Sequence, residues 1–580
     1  MKYTIPFILV LTLFFSQSME AFPVEWRMAG IPADSVILLL PTPVDTILQF
    51  NQIGSYGLFI NGIKTNVQTN KYNLFGSYSY RNFNGYRVHG NDYGHTLNLM
   101  VETAPSTNTT LQVSGNYFNG VEKRPGSLTK SEFEENPFLA DPRAVNRDEK
   151  RIVAKGRLDL YYSACFGKSL NQKIEISGTG KIENLTRSTK DYKIISKYGL
   201  GLNIAYTMTS HLWERDNELS LGGNIYKQPE REEEYENRGG QKSDQLEQIM
   251  HANTNSSGCF ITDNFELVRK KLFLEVSARY DNVTYHVSEE TVPSRSDKKR
   301  YHAVSPYIGL NYKITSNINL FTSYGFSFKS PEDRELESVY PSYLYNQDLM
   351  AQLSKTFDAG INVDLVKRNA AVFFRKFQLN ARFFQCGIEH EIVPYEIYGD
   401  EYYRNATKTN RLGFEVGSQL EIVTDLTLSM SWSYAHFIYS NYKANSLETD
   451  SAGNIVAIYR DFAGNAEPNI PRNNLNLSLS YKHPLGEKTG IFAQVAYQYL
   501  SGLWVDDANS DQTNLANLVN TALGVDLKFG HFRLSAYAGV NNIFNQIYVG
   551  YTNTNSADKH FYNAGAPRNF TGSVNWGFVF

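Results

Sequence analysis

The sequence is poor in cysteine and has almost no net charge. Its 580 residues include three cysteines and carry a formal net charge of −3. Cys165, Cys259 and Cys386 lie far apart, so no CxxC-type metal motif is present, and either three unrelated thiols or one disulfide is possible. A nearly neutral chain has no general attraction for nucleic acid, and this excludes that class of partner.

Long apolar runs are also missing. Beyond the N-terminus no stretch of 18 apolar residues occurs, which excludes a helical membrane protein. No Gly-x-Ser-x-Gly elbow is accompanied by a suitable His and Asp, so no enzymatic activity is predicted, and a phospholipase or protease is only a distant alternative.

Aromatic residues and alternating patterns are abundant instead. The chain has 39 Tyr and 35 Phe, and residues such as 97–101, 219–225 and 475–481 alternate between apolar and small polar side chains. One face of each such strand suits lipid and the other suits a watery lumen. The pattern predicts an all-β protein, a large transmembrane antiparallel β-barrel. At roughly 24 residues per strand with its connector, it would have about 22 strands.

Connectors of two lengths are expected to alternate. Short ones include 315–317 and 482–488, whereas 124–151 and 227–257 are long, charged and polar. Short periplasmic turns on one rim and long extracellular loops on the other are typical of outer-membrane barrels.

Both ends of the chain support export to the outer membrane of a Gram-negative cell. Residues 1–21 have Lys2, an apolar core and a polar end, and they are predicted to be a signal peptide. Residues 569–580 are strand-like and end on Phe580. We expect this last strand to pair with the first and close the barrel. Phe580 resembles the signal that the barrel-assembly machinery reads.

Five segments resemble one family when their order and spacing are taken together. They read NLFTSYGFSFKSP at 319–331, YRNATKTNRLGFE at 403–415, PRNNL at 471–475, GVNNIFN at 539–545 and GAPRNF at 565–570. They are similar to the barrel motifs of TonB-dependent outer-membrane receptors, specifically the siderophore branch. The motif positions are Ser330, Pro331, Asn405, Gly413, Glu415, Pro471, Arg472, Asn541, Asn542, Phe544, Pro567 and Arg568.

The resemblance implies binding and uptake of a ferric siderophore, with lipid and the TonB complex as partners and no cofactor. It also exposes a difference, because family members carry a plug domain and a TonB-contacting box before the barrel. Here residues 22–52 form only a short segment between the signal peptide and a barrel predicted at 53–580. The sequence therefore predicts a truncated receptor, or one that needs a plug from elsewhere. A plugless diffusion pore and an adhesin or structural barrel are the alternatives.

Three clusters could carry other chemistry. Residues 389–391 (Glu-His-Glu) could place two carboxylates on one strand face as a metal site, although a rim turn is the preferred interpretation, as it is for His89 and His95. The acidic run 230–236 is expected to be a solvated loop rather than a cation trap. Aromatic and Arg side chains in the loops could bind a planar anionic chelate, or form girdles at the membrane boundaries.

Overall fold

The computed structural model describes residues 46–292, 295–339, 342–366, 374–397, 400–449 and 455–580. The predicted signal peptide lies outside these ranges, as do residues 22–45 of the segment that follows it. No helix in the described part of the chain is long and apolar enough to cross a membrane.

Twenty-two strands form one antiparallel sheet that closes on itself, as the sequence predicts. β26 pairs with β1 from Thr46↔Val579 to Gly54↔Thr571, so the last strand closes the barrel. β1 begins ahead of the boundary placed at residue 53. The strands of the barrel are β1 Thr46–Gly54, β2 Leu58–Gln68, β3 Tyr72–Phe83, β4 Asp92–Ser106, β5 Thr109–Lys123, β6 Lys150–Phe166, β7 Gln172–Ser188, β8 Asp191–Leu212, β9 Arg215–Asn237, β10 Lys242–Val268, β11 Leu272–Glu289, β12 Ser296–Thr315, β13 Ile318–Lys329, β14 Gln352–Val366, β15 Lys376–Ile397, β16 Asp400–Val423, β17 Leu426–Asn441, β20 Asn473–Pro484, β21 Thr489–Leu500, β22 Ala516–Phe529, β23 Phe532–Asn541 and β26 Asn569–Val579.

Two small hairpins and a few short helices lie in the connectors. The hairpins are β18 Lys443–Thr449 with β19 Ile455–Asp461, and β24 Val549–Thr552 with β25 Tyr562–Ala564. The helices are α1 Lys130–Glu135 and α2 Pro142–Asn146, with 3-10 turns at Ser55–Gly57, Lys168–Leu170 and Asp333–Leu336.

Alternate residues along each strand point outwards and form an apolar belt. Leu200, Val304 and Leu523 are 72%, 63% and 62% exposed although they are large and apolar. Such side chains are stable at the surface only when hydrocarbon surrounds them. The inward positions are polar, but they are more charged than the alternation with small polar residues predicts, because they include ion pairs such as Arg279 with Asp281.

Glycine lets aromatic rings lie against the inner wall. A Cβ on Gly413 would stand 2.5 Å from the ring of Phe384 on the neighbouring strand, and a Cβ on Gly524 would stand 2.2 Å from the ring of Phe492. Any side chain at these positions would displace the ring. This contact is the physical reason for glycine at the motif position Gly413.

The two rims differ as predicted, but one long loop is not where the sequence places it. Residues 124–149 do connect β5 to β6 and contain both α-helices. Residues 227–257, predicted to be a loop, lie instead within β9 and β10, and only 238–241 connect the two strands. The prediction is wrong because a strand that continues into water loses its apolar face while its backbone ladder remains satisfied.

The three cysteines are free. They lie on β6, β10 and β15, so the disulfide that the sequence leaves open is not formed. Phe580 follows β26 and is exposed, with its ring centroid 6.0 Å from that of Phe578. Its role in assembly stays a prediction.

Candidate functional site: the loop-covered mouth of the barrel

Loop 330–351, which connects β13 to β14, folds against the inner face of β11 and β12. The carboxylate of Asp297 accepts hydrogen bonds from the backbone N–H groups of Leu344 and Tyr345, at 2.6 and 2.9 Å. The ammonium of Lys299 donates to the backbone carbonyls of residues 346, 347 and 349, at 3.1, 2.7 and 3.0 Å. The two charges therefore satisfy backbone groups that a loop cannot pair within itself.

An apolar cluster lies beneath this loop. Its members are the buried side chains of Val283, Tyr285, Val287, Tyr301, Leu336, Leu344, Tyr345 and Leu349. Residues of the wall and of the loop contribute together, so the loop has a small core of its own at the mouth of the barrel. Burial of this size favours the folded loop by several kcal/mol, at about 25 cal/mol per Å² of apolar surface.

Motif residues fasten both ends of loop 330–351. The Oγ of Ser330 accepts from the hydroxyl of Tyr285 at 3.0 Å, and the carbonyl of the buried Pro331 accepts from the same hydroxyl. At the other end the Asn405 amide accepts from the N–H of Met350 at 2.8 Å and donates to its carbonyl at 3.0 Å. Asn405 also donates to the carbonyl of His390 at 2.7 Å.

A buried carboxylate joins three other loops. Asp507, in loop 501–515, accepts from the hydroxyls of Tyr439 at 2.7 Å and Tyr442 at 3.1 Å. The guanidinium of Arg404 lies 3.9 Å away and packs on the ring of Tyr442. The N–H of Asp507 donates to Asn555 in loop 542–568 at 2.9 Å. Burial raises the pKa of Asp507 above its ordinary value, and the hydrogen bonds from the two tyrosines offset part of this rise.

A second buried cluster lies beside it. Arg411 binds Glu467 of loop 442–472 at 2.7 Å and also pairs with Glu391. Burial raises the pKa of Glu467 to about 7, although the positive charge of Arg411 opposes the rise. The guanidinium of Arg411 also packs on the ring of Phe437, 5.1 Å from its centroid.

Loop 542–568 spans the mouth of the barrel. On one side Tyr562 forms a backbone bridge with Leu128 in loop 124–149. On the other side Asn553 donates to the carboxylate of Glu396 at 2.6 Å, and Asn555 donates to the carbonyl of Pro394 at 2.8 Å. Because β5 and β15 lie on nearly opposite sides of a 22-strand cylinder, the loop is a strap across the opening.

Charged contacts support this strap. Asp558 pairs with Arg143 of α2 and, at 3.1 Å, with His560. Burial alone would raise the pKa of Asp558, but its hydrogen bonds from His560, Ser556 and Arg143 outweigh burial and lower it. The pKa of His560 is raised, because the contact with Asp558 outweighs the effect of burial.

The remaining motif residues lie where loops join strands. Asn542 has a left-handed backbone (φ 48°), and its amide donates to the carbonyls of Gln546 at 2.9 Å and Ala566 at 3.1 Å. Asn541 donates to Asn569 at 2.9 Å. These amides hold the two ends of loop 542–568 together.

Arg568 and Pro567 lie at the same junction. The guanidinium of Arg568 donates to the carbonyl of Ile543 at 3.3 Å, and the carbonyl of Pro567 accepts from the Asn569 amide at 3.0 Å. Phe544 is 75% exposed.

Pro471 and Glu415 are brought together. They line a cavity of about 340 Å³ that also includes Phe384, Phe437 and Asn474. Arg472 next to it donates to the Tyr434 hydroxyl at 3.1 Å. These contacts give the motif residues a role in stabilising the structure. A role of the same residues in ligand binding stays a prediction.

The Glu-His-Glu segment is neither a rim turn nor a pair of carboxylates on one face. It lies inside β15, so the prediction of a turn is wrong. His390 has a left-handed backbone (φ 58°), which breaks the alternation of faces. Glu389 therefore pairs with Lys355 at 3.3 Å, whereas Glu391 pairs with Arg411.

The other candidates also find ordinary partners. His89 lies in a loop, within 3.1 Å of the carbonyl of Glu149. His95 lies inside β4, 2.8 Å from the hydroxyl of Tyr78, so the prediction of a rim turn is wrong for His95. The run 230–236 is part of β9 rather than a loop. Its inward carboxylates Glu230 and Glu232 pair with Lys197 and Lys193, each at 2.9 Å.

The residues that hold the mouth together carry no recognisable motif in the sequence. Asp297, Lys299, Asp507 and Glu467 belong to short polar stretches without a motif. The aromatic and Arg content of the loops is a partial signal, because Arg404 packs on the rings of both Tyr395 and Tyr442, at 4.9 and 5.5 Å from their centroids. These rings build the loop assembly.

A closed cylinder with an apolar outer belt, short turns on one rim and folded loops over the other is a large outer-membrane β-barrel of the receptor class. The family described as TonB dependent receptor-like, beta-barrel matches residues 41–543. The chain belongs to this family of outer-membrane receptors and transporters.

Solved structures with the same fold are known at low sequence identity. The siderophore receptor PiuA from Acinetobacter baumannii superposes with a TM-score of 0.71 at 14% identity, covering 92% of this chain and 82% of its own. BauA, the ferric preacinetobactin receptor from Acinetobacter baumannii, gives 0.70 at 11% identity, with coverage of 92% and 80%. The copper transporter OprC gives 0.68 at 14%, with coverage of 92% and 80%.

Proposed function

We propose that this barrel binds a ferric siderophore at the loop-covered mouth and takes part in its uptake. The observation that carries the proposal is the strap formed by loop 542–568, which contacts loop 124–149 on one side and β15 on the other. An opening covered by folded loops suits a receptor that captures a scarce ligand. It does not suit a pore that passes solutes freely.

The composition of the mouth supports an anionic, aromatic chelate as ligand. Arg334 packs on Tyr403 with its guanidinium 6.0 Å from the ring centroid, and it is 63% exposed. Tyr343 is also exposed, at 51%. Exposed guanidinium and phenol groups bind planar anions by charge and stacking. The siderophore receptor PiuA and the ferric preacinetobactin receptor BauA share the fold.

The proposal includes a plug domain that lies outside the described residues. In the described ranges every strand of ten or more residues, as well as β1 with its nine, belongs to the barrel wall. Coupling to the TonB complex would act on that plug. A second candidate is a diffusion pore, favoured by the polar inner wall, with the loops as its constriction.

Binding and uptake by cells that express only this chain test the proposal. We expect labelled ferric siderophore to bind at the cell surface, with uptake only when a plug-bearing chain is also expressed. Copper is the matched control ligand, because the copper transporter OprC has the same fold. Absence of chelate binding together with rapid entry of large sugars into proteoliposomes would contradict the receptor and favour the pore.

A further inference from the structure

The apolar belt ends at a definite height on β9 to β12. Its last outward side chains towards the loop rim include Ile225 on β9, Tyr280 on β11 and Val304 on β12, which are 59%, 39% and 63% exposed. In strands of alternating faces, the outward positions above these residues are two, four and six residues further along. They mark the level at which lipid headgroups replace hydrocarbon.

Several of these outward positions carry a basic side chain. Lys227 follows Ile225 on β9, and on β12 the positions beyond Val304 are His302, Arg300 and Lys298. His286, on β11, is directly opposite Lys298. All five side chains are exposed, and together they form what we call the basic outer patch.

The patch is compact and close to the belt. Lys227 is opposite Asn255 on β10, Asn255 is opposite Thr284 on β11, and Thr284 is opposite Arg300 on β12. Three steps between strands correspond to about 14 Å, and two residues along a strand correspond to about 7 Å. Lys227 on β9 and the basic side chains of β11 and β12 therefore lie within a width that suits one or two large headgroups.

Lys227, Lys298 and Arg300 of the patch form no ion pair with a carboxylate of the described residues. Among the described residues no carboxylate lies within 4.0 Å of Lys227, Lys298 or Arg300, and the guanidinium of Arg300 donates to Asn282 at 2.6 Å. The carboxylates adjacent in sequence, such as Asp297 and Glu230, face inwards. Glu233 and Glu290 lie further from the belt, where they pair with Arg231 and, at 2.8 Å, with His251.

The neighbouring wall differs. On β7 and β8 the outward positions above the belt are uncharged, for example Asn184 and Ser196, which are directly opposite each other. The unpaired basic side chains of the patch thus do not continue onto the neighbouring strands β7 and β8.

We propose that the basic outer patch binds the phosphate groups of lipid headgroups in the outer leaflet. Continuity with the apolar belt favours a lipid, because its acyl chains can lie against Ile225 and Val304 while its phosphates reach Lys227 and Arg300. Charge-assisted hydrogen bonds from Lys and Arg are the usual protein contacts for phosphate. The carboxylates above the patch would repel an acidic protein that approached from the water.

The test uses the purified full chain and three lipid probes. Diphosphorylated lipid A, dephosphorylated lipid A and phosphatidylcholine are titrated separately, and bound lipid is counted by native mass spectrometry. We expect diphosphorylated lipid A to bind on the order of tenfold more tightly than the dephosphorylated form. The variant K227Q/K298Q/R300Q should lose that preference, since it removes three phosphate donors.

A matched variant separates the patch from net charge. K242Q/K443Q/K559Q removes the same charge at exposed positions in or near the loop tips and should keep the preference of the wild type. Circular dichroism and gel mobility with and without heating establish that each variant forms the barrel. Equal binding of the two lipid A forms by the wild type, or unchanged binding by K227Q/K298Q/R300Q, would overturn the proposal. Binding of polyglutamate that only this variant loses, without any preference between lipids, would assign the patch to an acidic protein partner.

Discussion

Two sides of the loop rim build the same extracellular wall in different ways. On one side, β8 to β12 are 18 to 27 residues long, and their loop-rim connectors are only 189–190, 238–241 and 290–295. On the other side, β20 to β23 and β26 have 10 to 14 residues. There the connectors are the long loops 442–472, 501–515 and 542–568.

The difference lies in how backbone groups are satisfied. Extended strands pair every N–H and C=O in a ladder, so their outer parts tolerate almost any side chain. Folded loops lack that ladder and depend on particular side chains, among them Asp507 and Asn542. We call the wall of β8 to β12 the strand side and the wall of β20 to β23 and β26 the loop side. The strand side can therefore contain an acidic run such as 230–236, whereas the loop side needs buried polar groups to satisfy its backbone.

The largest effect should follow from removing Asp507. Asp507→Ala leaves two tyrosine hydroxyls without their acceptor and removes the negative charge beside the Arg404 guanidinium, which costs about 3 kcal/mol of local stability. We expect amide hydrogen exchange in loops 442–472 and 501–515 to quicken by on the order of 100-fold. The exchange of β8 to β10 should not change.

The strand side supplies the matched comparison. Lys193→Gln removes a cation that pairs with Glu232 at 2.9 Å and Glu234 at 3.2 Å. Because the ladder between β8 and β9 persists, we expect less than a tenfold change in exchange there. Equal increases in hydrogen exchange for the two variants would show that the stability of both sides depends on side-chain contacts to the same extent.

The same contrast explains how far the sequence predicts the structure. The alternation of apolar and polar residues within the membrane-spanning part of the strands predicts the barrel, because lipid outside and water inside constrain every second residue. It fails at residues 227–257, where both faces are in water and the strand looks like a loop. The prediction also fails at residues 389–391, where the left-handed backbone of His390 places Glu389 and Glu391 on different faces of the strand. Contacts such as Asp507 with Tyr439 join distant loops, and no local pattern encodes them.

A smaller effect is expected from pH. The pKa of Glu467 is raised to about 7 in the folded loop, so its stabilising contribution is complete below the unfolded value and is lost as the pH rises through 7. The local free energy of opening of loop 442–472 should fall by about 2 kcal/mol between pH 5 and pH 8. Hydrogen exchange, corrected for its intrinsic pH dependence, measures this change.

Two variants test whether Glu467 causes this pH dependence. Glu467→Gln should remove the pH dependence, because an amide keeps the shape and does not titrate. Asp244→Asn, at an exposed position of β10 on the strand side, is the matched control and should leave it unchanged. A loop that becomes more protected as the pH rises would contradict the assignment to Glu467.

Loop 330–351 lies between the two sides, and its hydrogen bonds with Asn405 should contribute moderately to its stability. Asn405→Ala removes hydrogen bonds to the N–H and the carbonyl of Met350, at a cost of about 1 kcal/mol because Asp297 and Lys299 still hold the loop. We expect roughly fivefold faster proteolysis within 330–351. Asn441→Ala, at an exposed position of β17, should have no effect. Complete loss of protection would mean that the strand side contributes little to this loop.

The smallest effect belongs to a charge pair that links the connector 189–190 to the start of β16 across the mouth. Lys190 lies 3.0 Å from Asp400, and their side chains are 49% and 33% exposed. Exposed pairs contribute about 0.2–1 kcal/mol and weaken in salt, because water and ions screen them. A double-mutant cycle with Lys190→Gln and Asp400→Asn, read by exchange in residues 186–192, should give a coupling in that range that vanishes at high salt. Coupling above 2 kcal/mol, or coupling insensitive to salt, would show that this contact closes the mouth as strongly as the buried groups of the loop side.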